Sequence, residues 1–188
     1  VERWQSMIVG ITGMPGSGKS EATEVAKSLC LSTFRMGDVI WDEAEARRID
    51  KTPSAIGTLM LKLRREEGED VVAKRCLQKI KGDAVVEGIR SLDELNYFRQ
   101  HSDLVLVAVH ASPKTRYSRL LKRGRPDDPK DWPTFLERDL RELRVGLGSV
   151  IALADHMLIN EGPLDDLQRA ARKVFEGIGF GCKSGSRV

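Results

Sequence analysis

The octapeptide Gly13-Met14-Pro15-Gly16-Ser17-Gly18-Lys19-Ser20 constrains this chain more than any other stretch, because it fits G-x-x-x-x-G-K-[ST] at every specified position. Its surroundings give the motif its meaning. Residues 7–12 form a short β-branched run without polar alternation and read as a buried strand. Residues 19–29 place Ala22, Val25, Ala26 and Leu29 at helical spacing. A glycine-rich loop between strand and helix turns backbone N–H groups inward, and the positive end of the helix adds to them, so the loop holds a polyanion. Lys19 supplies a point charge for the β- and γ-phosphates, and Ser20 offers its hydroxyl to Mg²⁺. The nucleotide-binding set is therefore expected to run through Gly13, Met14, Pro15, Gly16, Ser17, Gly18, Lys19, Ser20 and Glu21, with ATP as the ligand.

The rest of the chain alternates in the same way. Strand-like runs at 31–36, 84–86, 104–109 and 156–160 are separated by helical patterns at 38–48, 56–67, 70–80, 92–100, 113–122, 132–143 and 164–175. Buried strands joined through helices imply right-handed crossovers, a parallel sheet and an α/β sandwich of three layers. Ligands of such sheets collect at the carboxyl ends of the strands. A helical insert at about 38–80 and a charged segment at about 122–148 interrupt the rhythm and read as flaps over that edge. Residues 1–6 read as an extension ahead of a single domain over 7–176, and the glycine-rich tail 177–188 is expected to be disordered.

Composition narrows the function classes. A net charge of +3 over 188 residues gives no strongly basic stripe, which makes a dedicated nucleic-acid binder the wrong expectation. No apolar run reaches the roughly 18 residues of a membrane span. Residues 1–6 lack the apolar core of a secretory signal. Cys30, Cys76 and Cys182 form no C-x-x-C pair and suit a reducing, cytoplasmic setting, with Cys30 and Cys76 expected as buried helical residues.

Phosphoryl transfer needs a carboxylate near Mg²⁺ at the end of a neighbouring strand, and two positions qualify. Glu87 follows Val85 and Val86, and Asp38 follows Met36 and Gly37. Either could hold a metal-bound water or orient an acceptor hydroxyl; a plain helix N-cap is the other reading of Asp38. After the P-loop, Met36-Gly37-Asp38, Glu87-Gly88-Ile89-Arg90 and Arg123-Gly124-Arg125-Pro126-Asp127-Asp128 occur in the order seen in nucleoside monophosphate kinases. With residues 107–116 and 124–142 they resemble an uncharacterised archaeal family of nucleotide-kinase-like P-loop proteins, over nearly the whole chain. That family is distantly similar to adenylate, cytidylate and uridylate kinases and to dephospho-coenzyme A kinase.

The resemblance implies a five-stranded sheet in the order 2-3-1-4-5, a helical acceptor insert and a lid bearing arginines. On the matching positions, Lys19 would grip the donor phosphates and Arg90 an acceptor phosphate. Arg119 and Arg123 would lie at the lid base near the donor, and Arg125, Arg138 and Arg141 would neutralise the transferred group. Two positions depart from the pattern. Trp41 stands where monophosphate kinases carry an arginine, and a tryptophan cannot grip a phosphate. Glu87 stands where aspartate is usual.

Several of these residues have structural readings as well. Arg138 with Glu142, and Glu137 with Arg141, are spaced as i, i+4 pairs on a helix face. Trp41 is expected to fill the core of the insert, with stacking on a base as its other reading. The chain thus reads as a phosphotransferase that moves the γ-phosphoryl of ATP to a nucleotide or nucleotide-like acceptor. A nucleotide-gated binding protein or slow NTPase, and a polynucleotide-end kinase, are the alternatives.

Overall fold

Apolar side chains leave both faces of the central strands, so helices must cover the sheet twice. In a computed structural model that describes residues 6–50 and 52–179, they do. The chain runs β1 (Met7–Thr12), α1 (Lys19–Ser28), β2 (Ser32–Arg35), α2 (Met36–Ala46), α3 (Pro53–Glu67), α4 (Val71–Gln78) and β3 (Ala84–Glu87). It continues through α5 (Leu92–His101), β4 (Asp103–His110), α6 (Pro113–Arg123), α7 (Trp132–Val145), α8 (Leu147–Ala152), β5 (His156–Ile159) and α9 (Leu164–Gly177). All strand pairs are parallel and the order is β2-β3-β1-β4-β5, as expected.

Alternation along β1 explains the layers. Ile8 points into one core with Val86, Leu106, Leu95 and Phe98, under α2 to α5 and α8. Val9 and Ile11 point into the other with Val85, Val107, Leu167 and Phe175, under α1 and α9. Burying each such side chain stabilises the fold by about 2 kcal/mol, so both layers are held firmly against the sheet.

Two local readings are corrected. Helix α2 begins at Met36 directly after β2, with Arg35 at its N-cap, so Asp38 lies within the first turn and is not the cap. Cys30 follows α1 in a left-handed conformation (φ 61) and is exposed, while Cys76 is buried and its thiol is pushed up to about 12 by burial. Helix α8 adds to the expected helices, with Leu147 and Val150 both buried and Val150 within the core that holds Ile8 and Leu106. The expectations for the N-terminal extension and the glycine-rich tail fall mainly on residues 1–5 and 180–188, outside the described residues. Among the described residues no helix is long and apolar enough to cross a membrane.

Candidate active site

The loop after β1 has the shape that its glycines require. Gly13 and Gly18 adopt φ of 147° and 105°, and a Cβ on Gly18 would fall 2.3 Å from Asn160 Nδ2. No other residue fits at either place without strain. Ser17 N donates to Met14 O (3.1 Å), closing the turn. Lys19 folds back over it, its Nζ donating to Gly13 O (2.7 Å) and Met14 O (3.1 Å). Burial, with the charge of Arg90 as the next cause, lowers its pKa to about 8.

Strand register sets the next group. Glu87 ends β3 opposite Ile11 on one side and Arg35 on the other. Its Oε1 accepts from Ser20 Oγ (3.3 Å), its Oε2 accepts from Thr23 Oγ1 (3.1 Å), and Arg35 Nε lies 3.6 Å from Oε2. The β3 end is pinned to β1 by Gly88 N donating to Ile11 O (2.9 Å) and Thr12 Oγ1 donating to Ile89 O (2.7 Å). Ser20 and Glu87 are hard oxygen donors side by side, which suits Mg²⁺ held largely by phosphates and water. No group of three or more His, Cys, Asp or Glu that could hold an ion alone occurs among the described residues.

Beyond Glu87 lie Arg90, Glu94, Asp38 and the helices of the insert. Arg90 Nη1 sits 3.5 Å from Glu142 Oε1. Glu94 is buried, and that burial raises its pKa against the pull of its two arginine neighbours. It accepts from the Arg90 backbone N (2.8 Å) and from Arg64 Nη2 (3.1 Å). Trp41 is 43% exposed and lines the cavity, so it is not part of the insert's core. The first turn of α2 faces the cavity, and Trp41 follows one turn later on the same side.

The opposite wall comes from α6, the turn after it, and α7. Arg119 Nη2 donates to Asn160 Oδ1 (3.1 Å), while its buried Nη1 has no hydrogen-bond partner among the described residues. Asn160, just past β5, also donates to Ser17 O (2.7 Å) and so ties this arginine to the P-loop. Asp128 is the hub of the charged turn. It accepts from both Arg123 Nε (2.8 Å) and Arg123 Nη2, from Arg125 N (3.0 Å), and weakly from Arg138 Nη1 (3.4 Å). The Arg123 contact is the largest cause holding the Asp128 carboxyl below its usual range. Arg138 also donates to Asp127 O (2.9 Å). The side chain of Arg125 makes no hydrogen bond or ion pair with a described residue.

Neither helical i, i+4 pair forms among the described contacts: Arg138 turns to Asp127 and Asp128, and Glu142 faces Arg90. Arg141 is exposed and stands outside the cavity that the other candidates share. That cavity measures about 980 Å³ and is lined by Lys19, Ser20, Glu21, Asp38, Glu87, Arg90, Arg119, Arg123, Arg125 and Arg138. Pro15, Gly16 and Gly18 also line it, whereas Gly13 and Ser17 are buried behind the loop and Met14 stands beside it. Its size is at the upper end for a small-molecule site, enough for a triphosphate and a second small molecule. Asn160, Asp128, Glu94 and Glu142 were given no role in the site from the sequence. Of these, only Asn160 carries a signal, its place at the carboxyl end of a strand.

A parallel sheet in this order, with a phosphate loop at its carboxyl edge, defines a P-loop kinase-like domain, and residues 9–143 match the family model described as AAA domain. The chain belongs to the UPF0200 family. It is 49% identical over 178 residues to UPF0200 protein MJ1399 of Methanocaldococcus jannaschii, covering 92% of this chain and 90% of that protein. It is 46% identical to a UPF0200 protein of Hyperthermus butylicus, covering 92% and 95%. Among solved structures, it is similar in fold to TT1252 from Thermus thermophilus, with a TM-score of 0.64, 20% identity, and coverage of 93% and 98%. A shikimate kinase from Acinetobacter baumannii superposes with a TM-score of 0.58 at 11% identity, covering 93% and 94%. A gluconokinase from Sinorhizobium meliloti 1021 gives 0.56 at 17%, covering 94% and 95%.

Proposed function

We propose that this protein is a small-molecule kinase that moves the γ-phosphoryl of ATP to a nucleotide or nucleotide-like acceptor. One observation carries the reading: the P-loop lysine, the Ser20–Glu87 pair and four arginines (Arg119, Arg123, Arg125 and Arg138) open into the same cavity as the helical insert. A binding module for triphosphate alone has no need of a cavity that extends to the helical insert.

The roles follow from position. Backbone N–H groups of the P-loop and Lys19 bind the donor phosphates, with Lys19 exchanging two carbonyls for phosphate oxygens. Ser20 would hold Mg²⁺ directly and Glu87 would hold it through water; bound there, the ion neutralises charge on the β- and γ-phosphates. Arg119 and Arg123 orient the donor from the α6 side. Arg125, whose side chain has no partner among the described residues, acts on the transferring group together with Arg138. Asp38 and Arg90 face the acceptor.

The test is transfer itself. The protein is incubated with Mg-ATP and Mg-GTP against mononucleotides, dephospho-coenzyme A and oligonucleotides, and products are separated by chromatography. A phosphorylated small molecule formed from Mg-ATP is the expected outcome. Transfer to oligonucleotide ends instead would favour a polynucleotide kinase, and triphosphate hydrolysis alone would favour a nucleotide-gated binding protein.

A further inference from the structure

The cavity is electrostatically divided, and the division bears on the chemistry of the acceptor. On the P-loop and α6 side, Lys19, Arg119, Arg123, Arg125 and Arg138 face only two lining carboxylates, Glu21 and Asp127. On the insert side, Arg35, Arg64 and Arg90 share the wall with four: Asp38, Glu87, Glu94 and Glu142. On the first side Asp128 and Asp127 hold Arg123 and Arg138, but Lys19, Arg119 and Arg125 have no carboxylate partner among the described residues, whereas on the insert side each arginine already has one. Arg35 lies 3.6 Å from Glu87, Arg64 lies 3.1 Å from Glu94, and Arg90 lies 3.5 Å from Glu142.

A phosphate monoester brings roughly 1.5 to 2 negative charges at neutral pH. To be gripped here it would have to displace carboxylates from their arginines and remain beside them, and like charges at such range are strongly unfavourable. An alcohol meets no such barrier. What an alcohol needs, and a phosphate oxyanion does not, is a base for its proton. The fourth carboxylate, Asp38, makes no side-chain hydrogen bond or ion pair with a described residue and faces the cavity from the first turn of α2.

We infer that the phosphoryl group is delivered to a hydroxyl, so that the acceptor is an alcohol such as a polyol, a sugar or the sugar hydroxyl of a nucleotide-like molecule, with Asp38 as its base. This rests on the kinase reading above and narrows it. The acceptor oxygen bonds to the γ-phosphorus as the bond from that phosphorus to the bridging oxygen breaks. ADP leaves with the electron pair, and the hydroxyl proton passes to an Asp38 Oδ and on to water.

The test uses the full chain and Mg-ATP with adenosine, ribose and gluconate as alcohols and AMP, CMP and UMP as phosphates. Products are separated by chromatography and identified by mass, so that a new monoester, CDP, UDP or ADP in excess of the ATP consumed is told apart from the ADP that the donor leaves. An ester without an anhydride is expected. An anhydride formed faster than ATP is hydrolysed overturns the inference and leaves the kinase reading standing. Hydrolysis with no transfer to any acceptor overturns the kinase reading, and the inference with it. Water is the smallest hydroxyl acceptor, so background hydrolysis reports on the same base. Asp38→Asn should slow it by roughly 10²-fold or more, with affinity for a non-hydrolysable ATP analogue within twofold of wild type. Unchanged hydrolysis removes Asp38 from the role. Calorimetric titration of AMP into the analogue complex supplies a third reading. Wild type should bind AMP weakly, and Glu142→Gln, which releases Arg90, should bind it at least tenfold better; tight AMP binding by wild type would overturn the inference.

Discussion

The phosphate half and the acceptor half of the cavity are built by different means. The first is a contiguous loop whose backbone supplies most of the donors, set at one strand end by glycines that tolerate its angles. The second is gathered from α2, α3, β3, α5 and α7, and its ion pairs Arg35–Glu87, Arg64–Glu94 and Arg90–Glu142 join side chains far apart in sequence. The first half keeps cations in excess and leaves Arg125 and one nitrogen of Arg119 without partners among the described residues. The second cancels its own charge. A binding surface meant for a highly charged ligand can leave its cations unspent, because the ligand repays their desolvation; one that pairs them internally selects against such a ligand.

Four substitutions would break or sharpen that contrast. Lys19→Ala should lower turnover by roughly 10⁴-fold, since the charge on the donor phosphates is lost. Its only hydrogen-bond partners among the described residues are two carbonyls of its own loop, so unfolding should stay near wild type. A stability loss like that of a core deletion, on the order of 3 kcal/mol, would make Lys19 a structural residue. Arg125→Ala should cost about 10³-fold in catalytic rate and little in affinity for an ATP analogue, as for other arginines that meet the transferring group. Hydrogen exchange over 124–131 should slow when the analogue binds, and exchange that is already slow and does not respond would rule out closure there.

Glu87→Gln keeps shape and loses charge. It should raise the Mg²⁺ concentration needed for half-maximal turnover by roughly 10- to 100-fold, the usual effect of removing an outer-shell partner. An unaltered Mg²⁺ titration would remove Glu87 from the site. Asp128→Asn should destabilise the fold by about 2 kcal/mol at neutral pH, because charged donors lose a buried carboxylate. The sign with pH follows from the lowered pKa. The Asp128 contribution is complete above the unfolded value of about 3.9 and is lost as pH falls through the lower folded value. Wild-type and mutant melting temperatures should therefore converge only below about pH 4. Curves that stay equally spaced into acid would show that Asp128 acts through packing and not through its charge.

What was legible in the sequence follows the same divide. The strands and the loop could be read because local pattern and backbone geometry determine them, whereas the strand order came from the family resemblance. Glu87 and Asp38 stood out as candidates because ligands of parallel sheets collect at the carboxyl ends of the strands, and both line the cavity there. Arg138 could not be assigned, since a helix face offers Glu142 at i+4 and only tertiary packing decides for Asp127 and Asp128 instead. Trp41 failed for a related reason. An aromatic in a small helical insert has two ways to be satisfied, and how far α2 rolls toward the cavity is set by residues elsewhere.

Arg116 has a mechanical consequence. Its buried guanidinium donates to Ala111 O (3.1 Å), to Pro15 O of the P-loop (3.2 Å) and to Asp139 on α7 (2.8 Å), with the ring of Phe135 5.0 Å away. Breaking a buried pair of this kind costs about 3–5 kcal/mol, so α7 and the phosphate loop travel as one body. If a segment closes over a bound nucleotide, it would therefore be the stretch from Gly124 to Asp131, a latch of eight residues and not a door of twenty-seven. A latch that short sweeps little solvent and closes on loop timescales, nanoseconds to microseconds. Its opening would then be far faster than ordinary turnover, leaving bond-making or product departure to set the pace.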